Sequence, residues 1–596
     1  MDSEAGRGQE PVPSLLVNYG SRLTLNCCKL KLWVPVSILG RPSRSKIRTV
    51  KLWRTLMRRW NGWGQEETHY PLPDIALRFL QNALGQGSQI PDANIDEILA
   101  IIPTSRLWDA PWITTDPETR LRHARGQSLP DWIALRSGRV GIFPDGVAYP
   151  NSDEDIQEIL EFASESEIEI IPYGGGTSVV GHINPLSETK PTLTVNLSRM
   201  NQLHDLDTSS QLATLGAGIC GPDLEESLNQ RGYTLGHFPQ SFELSTLGGW
   251  IATRSSGQQS YYYGRIEDLF AGGHVETPLG PLHLHPHPAS AAGPDLRQVI
   301  LGSEGRLGIL TRATVRVRPL PQIEQFFGVF FRSWESGMEA LRQVAQADIP
   351  LSMMRLSDPD ETETTLLLSG REHLIDWADR GLKLFGYDPG RCLLIFGVTG
   401  DPKVVSQARS RAQSIFRSHA GLPAISLIGE MWRKSRFLSP YLRNTLWELG
   451  YVIDTLETAV PWQSVQKLHK EITSSLRKVS SEMEHRIHVF AHLSHVYRDG
   501  ASIYVTFIFP RDPDPEELLQ QWQVLKSSAS KVILKGHGTI SHQHGVGCDH
   551  APFLPTEKGS VGMATLAALC KKLDPDGILN PGKLLMDSSD IPGRGR

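Results

Sequence analysis

The chain has 596 residues, too many for one hydrophobic core, and its 39% hydrophobic and 21% charged residues are an ordinary globular balance. A formal net charge of −5 gives no general attraction to nucleic acid, and no apolar run is long enough for a membrane span. Six scattered cysteines (Cys27, Cys28, Cys220, Cys392, Cys548, Cys570) contain no C-x-x-C pair, which argues for a reducing compartment and against a disulfide scaffold or zinc-cysteine site.

Residues 1–60 form a basic leader. No acidic residue lies between Glu10 and Glu66, while Arg22, Lys29, Arg41, Lys46, Arg54 and Arg59 are among the cations in between. A disordered tail or an early start codon fits this composition, and so do a membrane-surface segment and a targeting peptide. Residues 61–138 read as a helical segment opened by "WNGWG" (Trp60–Gly64), with a short helix in "PDIALRFLQNALG" (Pro73–Gly85), stopped by its glycine, and another over Asp92–Ile102. From about residue 139 the pattern becomes mixed. Ser152 is an N-cap for a helix whose first turn is acidic and whose Ile156, Ile159 and Leu160 share a face. "EIEIIPY" then alternates as a strand, followed by strands in "PTLTVNL" and "SQLATLGAGI" and a helix closed by Gly232. Beyond residue 320, strands "QFFGVFFRSW", "CLLIFGVTG" and "ASIYVTFIFP" interleave with helices over Ser336–Ala347 and Asp401–Gly421. That spacing predicts an antiparallel sheet with helices on one face. The expected class is α+β: a binding domain over 139–320, a second domain over 321–535, and a C-terminal segment over 536–596.

Three glycine and hydroxyl clusters carry the chemistry. "PYGGGTS" (Pro172, Tyr173, Gly174, Gly175, Gly176, Thr177, Ser178) follows an apolar strand, so backbone N–H groups there can approach a phosphate closely. It is neither G-x-G-x-x-G nor a P-loop, which disfavours both of those folds. The second cluster lies within His237–Gly257 and the third is "GSEGRLG" (Gly302–Gly308). Singly each reads equally well as a turn. A fourth stretch, "ISHQHGVG" (Ile540–Gly547), sets His542 and His544 two apart. His537 and His550 stand near them, but no second group at ligand spacing accompanies them, and no metal is expected.

The order PxGGGTS, GGW-x-x-TR-x-SG, GSEG-x-LG resembles the PCMH-type FAD-binding domain of the vanillyl-alcohol-oxidase flavoproteins. Beyond it, "YGRIEDL" (Tyr263–Leu269), "MRLSD" (Met354–Asp358), "YLRN" (Tyr441–Asn444), "LETAVPW" (Leu456–Trp462), "DGASIYVTF" (Asp499–Phe507) and "SHQHGVG" are similar to the alkyldihydroxyacetonephosphate synthases. The resemblance implies FAD contacts from the first loop, from Gln240, Ser241, Phe242, Glu243, Leu244, Ser245 and Thr246, and from Arg254, Ser255, Ser256 and Gly257. It adds Gly302, Ser303, Glu304, Gly305, Arg306, Leu307 and Gly308. Thr177 stands where some relatives carry a flavin-linking histidine, so the expected FAD is non-covalent.

The activity implied is exchange of the acyl group of acyl-dihydroxyacetone phosphate for a fatty alcohol, with the flavin as a covalent trap and no net redox. Tyr504 matches the catalytic tyrosine, Arg443 the substrate-binding arginine, and Arg355, His237, His542 and His544 further active-site positions. Two departures stand out. These synthases carry three consecutive histidines where this chain has His542-Gln543-His544; on a strand, 542 and 544 would share a face and Gln543 would point away. "LNPGK" (Leu579–Lys583) also resembles the general superfamily ending. An FAD-linked 2-hydroxy-acid dehydrogenase or oxidase, and a flavin-binding protein without turnover, therefore stay open. The expected location is cytoplasmic with peripheral membrane contact, since both substrates are lipids. "PGRGR" is not an S-K-L address, and "RLTLNCCKL" resembles a peroxisomal signal only loosely, so a peroxisomal site stays open for a eukaryotic source. No nucleic-acid partner is expected, and a homodimer is left open.

Overall fold

The helix expected after Asn151 forms over Asp153–Glu165, with the Ser152 hydroxyl accepting the Asp155 N–H at 3.2 Å. Ile156, Ile159, Leu160 and Ala163 are buried, each large side chain contributing about 2 kcal/mol. The computed structural model describes residues 58–108, 112–370, 382–384, 386–387, 390–424 and 427–586. The leader up to residue 57 and the terminal "PGRGR" lie outside the described residues.

The helix's buried face covers a four-stranded sheet in the order β1 (Ile113–Thr114), β2 (Gly146–Ala148), β4 (Thr192–Asn196), β3 (Glu169–Tyr173). Strands β2, β4 and β3 run parallel and are almost fully buried, as strands covered on both faces must be. Residues near the C-terminus complete this sheet: Ile170 donates its N–H to the Ile578 carbonyl and accepts from Asn580 N–H, both at 2.7 Å. A second, antiparallel sheet runs β5 (Leu203–Asp207), β6 (Leu212–Gly216), β10 (Ile309–Arg316), β8 (Phe270–Thr277), β9 (Gly280–Leu284). A small pair joins β7 (Tyr233–Thr234) to β11 (Arg318–Pro319).

The third sheet is antiparallel and seven-stranded. Its order is β15 (Leu422–Pro423), β12 (Ile323–Phe331), β14 (Cys392–Gly400), β13 (Met353–Ser357), β17 (His488–Val496), β18 (Gly500–Pro510), β16 (Tyr451–Pro461). Period-two alternation divides it. Leu356, Leu394, Phe396, Leu493, Ile503, Val505 and Phe507 face a core built with helices Trp334–Gln346, Pro402–Ser418, Trp462–Glu482 and Pro515–Lys535. The opposite face presents Arg355, His492 and Tyr504. Two shorter helices, Pro359–Leu368 and Leu427–Ser435, flank that face through an apolar cluster around Phe330, Met353 and Ile395.

Candidate active site

Strand β3 delivers Tyr173 and then the three glycines. A Cβ on Gly174 would sit 2.3 Å from Thr246 Oγ1, and one on Gly175 only 1.9 Å from the Leu244 carbonyl. The first loop thus lies against the second with no room for a side chain. The third loop closes in the same way, since a Cβ on Gly305 would meet Pro172 at 2.9 Å. Glu304 then accepts the backbone N–H groups of Val546 and Gly547, the latter at 2.8 Å. The "HGVG" turn is therefore hooked onto the third loop.

These loops line one end of a cavity of about 1700 Å³. All seven residues of Pro172–Ser178 line it, with Gln240, Ser241, Ser245, Thr246, Ser255, Ser256, Ser303, Glu304, Gly305 and Gly308. Phe242, Glu243, Leu244, Arg254, Gly257, Gly302, Arg306 and Leu307 do not. Phe242 stacks on Phe437, Glu243 accepts the Tyr441 hydroxyl at 2.8 Å, and Arg306 donates to the Leu579 carbonyl at 2.5 Å. Exposed backbone donors, hydroxyls and crowded glycines suit the pyrophosphate of a dinucleotide, so the residues fit FAD.

Beyond the loops the cavity meets the open face of the third sheet. Tyr504 on β18 is paired directly with His492 on β17 and with Glu457 on β16. The His492 ring stacks on Tyr504 at 4.9 Å, and the His544 ring meets Tyr504 edge-on at 5.8 Å. Burial pushes the Tyr504 phenol above its ordinary value and the His544 imidazole below its own. At neutral pH the pair is therefore a protonated phenol beside a neutral imidazole.

Two arginines complete this end. Arg355 on β13 pairs with Glu361 at 2.5 Å and reaches His492 Nδ1 at 3.2 Å. Burial opposes ionisation of Glu361, but Arg355 and His492 together hold its carboxyl at about 2. Arg443 lies on the helix Ser439–Glu448, its guanidinium 4.2 Å above the Trp132 ring and one N–H group donated to the Gln127 carbonyl. Its Nη2 has no partner although buried, and burial lowers the group to about 10, so it remains a cation. Beside it, Asn444 ties down Trp63 with bonds of 3.1 and 3.0 Å, joining "YLRN" to "WNGWG".

The histidine stretch does not behave as a strand. Gly545 and Gly547 take φ of 80° and 52°, and the segment curls as a turn. Gln543 and His544 line the cavity, while His542 turns behind its wall. The expectation that Gln543 points away is corrected by this: alternation does not survive a glycine turn. The His542 Nε2 lies 2.6 Å from the Tyr497 hydroxyl and its Nδ1 2.9 Å from Glu457. His237 also stands back from the cavity; it is 1% exposed, packs on Trp250 and meets the Ser255 hydroxyl at 3.0 Å. Sequence reasoning missed His492, Glu361, Glu457 and His495. A register shift in β17 between Leu493 and Val496 brings both Ser494 and His495 to the cavity wall, and no local motif announces such a bulge.

The family model of the FAD binding domain matches residues 144–283, and that of the C-terminal domain of FAD linked oxidases residues 320–584. The alkyldihydroxyacetonephosphate synthase of Dictyostelium discoideum is 34% identical over 530 residues, 88% of this chain and 85% of that protein. The chain belongs to the alkyldihydroxyacetonephosphate synthase family. The family member of Trypanosoma brucei brucei is 30% identical across 79% of this chain and 78% of its own. A solved alkyldihydroxyacetonephosphate synthase structure superposes with a TM-score of 0.76 at 29% identity, covering 88% of this chain and 98% of the other. FAD is accordingly the cofactor, and the α+β architecture is that of the PCMH-type flavoproteins. No described helix is long and apolar enough to cross a membrane.

Proposed function

We infer that the protein is an FAD-dependent transferase that exchanges the acyl group of acyl-dihydroxyacetone phosphate for a long-chain fatty alcohol. The observation that supports this most is the continuity of one cavity. It runs from the glycine loops past Tyr504 and Arg443 into an apolar arm lined by Phe330, Met353, Leu366, Leu393, Ile428 and Trp432. Such an arm suits a long alkyl chain and is superfluous for a small 2-hydroxy acid.

The cavity-lining residues of the three loops would hold FAD. When bound, FAD supplies the ring chemistry that keeps the dihydroxyacetone phosphate carbon in place while the acid leaves and the alcohol enters. Arg443, fixed by Trp132 and Gln127, offers its unpartnered Nη2 to the phosphate or the departing carboxylate. Arg355 offers a second cation at the same end, oriented by Glu361. Tyr504 holds a proton and neutral His544 can take one, the complementary pair that acid–base exchange at a carbon requires. Gln543, an amide, orients but cannot carry a proton. The apolar arm keeps water from competing with the alcohol. Peripheral contact with a bilayer fits substrates that partition there.

The test is direct. Yellow, FAD-loaded protein is given acyl-dihydroxyacetone phosphate and hexadecanol without any electron acceptor, and ether product with release of fatty acid is expected. Bleaching of the flavin by D-lactate or glycolate, with reduction of an added acceptor and no ether, would overturn the reading in favour of a hydroxy-acid dehydrogenase.

A further inference from the structure

Behind the cavity wall, Glu457, His495 and His542 form a buried group that the proposed exchange does not use. They are 2%, 6% and 5% exposed. One ligand atom from each lies within 4.8 Å of the other two. Neither carboxylate oxygen of Glu457 has a hydrogen-bond partner, and neither has Nδ1 of His542, despite its 2.9 Å approach to Glu457. A buried carboxylate left without donors is strongly disfavoured unless a cation compensates it.

The surroundings prepare both imidazoles as ligands. His495 Nδ1 faces the Ser256 and Ser260 hydroxyls, each at 3.1 Å, which leaves Nε2 for the centre of the group. His542 Nε2 faces the Tyr497 hydroxyl at 2.6 Å, which leaves Nδ1. Arg265 approaches that same Nε2 at 3.4 Å and donates to the His542 carbonyl at 2.9 Å. Outer contacts of this kind fix ring orientation and tautomer at metal sites.

We propose that Glu457, His495 and His542 bind one divalent first-row transition-metal ion. Two imidazoles and one carboxylate are a set that suits Zn(II), Fe(II) or Co(II), and three protein ligands leave a coordination position for water or a substrate oxygen. His495 lines the cavity, so the ion would sit directly behind its wall. The other such group among the described residues, Asp153, His274 and Glu276, is already compensated: Arg312 pairs with Asp153, and Gln157 donates to Glu276. The proposal does not depend on which reaction the cavity performs.

Full-length, FAD-loaded protein, purified without chelators and offered one equivalent of Zn(II) or Co(II), should retain about one ion per chain after desalting, measured by mass spectrometry of the metal. The Co(II) form should show a protein-bound high-spin resonance. Glu457→Gln and His542→Asn should each reduce retention to roughly a tenth or less while the yellow flavin absorbance stays. Wild-type protein that holds no ion after loading overturns the proposal, as does a Glu457→Gln variant that holds as much as wild type; Glu457 and His542 are then simply a hydrogen-bonded pair. Should a variant also lose its flavin, the wild-type ion count and resonance decide.

Discussion

The glycine loops and the open face of the third sheet line the same cavity but are built in opposite ways. The loops are three short stretches of sequence pressed backbone to backbone, where Gly174, Gly175 and Gly305 have no space for a Cβ. The sheet face is made of side chains from different strands, held by register: Glu457 opposite Tyr504, Tyr504 opposite His492. The first construction holds a cofactor through groups every residue possesses. The second places individual chemical groups, and each depends on neighbours remote in sequence. Damage to the loops should therefore remove the flavin, whereas damage to the sheet face should leave a yellow protein that turns over poorly.

The strongest test of that contrast is Gly175→Ala. Its Cβ would meet the Leu244 carbonyl, which is backbone and cannot step aside, so the expected result is complete loss of FAD after gel filtration. Tyr504→Phe should instead retain FAD and lose ether formation by a factor on the order of 10²–10⁴. A Tyr504→Phe protein that is colourless would break the comparison. Acid should strike both regions together. Burial, as the leading cause, holds His123 at about 4 and His237 and His550 at about 3, against an ordinary 6.5. The unfolded chain takes up protons below 6.5 that these folded imidazoles refuse. Stability is therefore full above about 6.5 and falls by about 1.4 kcal/mol per pH unit for each histidine as pH drops toward those values. Thermal midpoints followed by tryptophan fluorescence between neutral pH and the acid range measure the slope; a flat profile removes the buried-histidine argument.

Smaller effects sharpen the sheet side. Glu361→Gln frees Arg355 from its anchor and should lower kcat/KM for the acyl substrate by roughly ten- to a hundredfold, the equivalent of one or two charge-assisted bonds, with FAD intact. Met353→Trp, at a buried position lining the apolar arm, should shift preference toward shorter alcohols by about tenfold in kcat/KM. Alcohol chain-length profiles read that change, and an unchanged profile would mean the chain lies elsewhere.

Legibility in the sequence follows the same division. The loops could be read because a close backbone approach is written in the residue types at the spot. Helices such as Asp153–Glu165 were legible through their caps and apolar spacing. The residues on the sheet face were reached only by resemblance, and their partners not at all. Glu361 and His492 look like any helix acid and strand histidine until strand pairing sets them 2.9 Å apart. Gln543 misled because alternation was assumed across a segment that Gly545 and Gly547 bend into a turn. "WNGWG" and "YLRN" carried no hint that Asn444 would clasp Trp63 across the chain.

The stitching of Ile578–Lys583 onto the first sheet has a bearing on biosynthesis. Ile170 bonds to Ile578 and Asn580, Arg306 holds the Leu579 carbonyl, Asn580 donates to Glu304, and Lys583 donates to the Asn184 carbonyl. The flavin-binding half is encoded early, but its last strand neighbour and the brace of its third loop emerge from the ribosome only after the whole seven-stranded sheet. The nascent chain must keep that half incomplete through the synthesis of the whole seven-stranded sheet, so the flavin site is finished only once Ile578–Lys583 has been made.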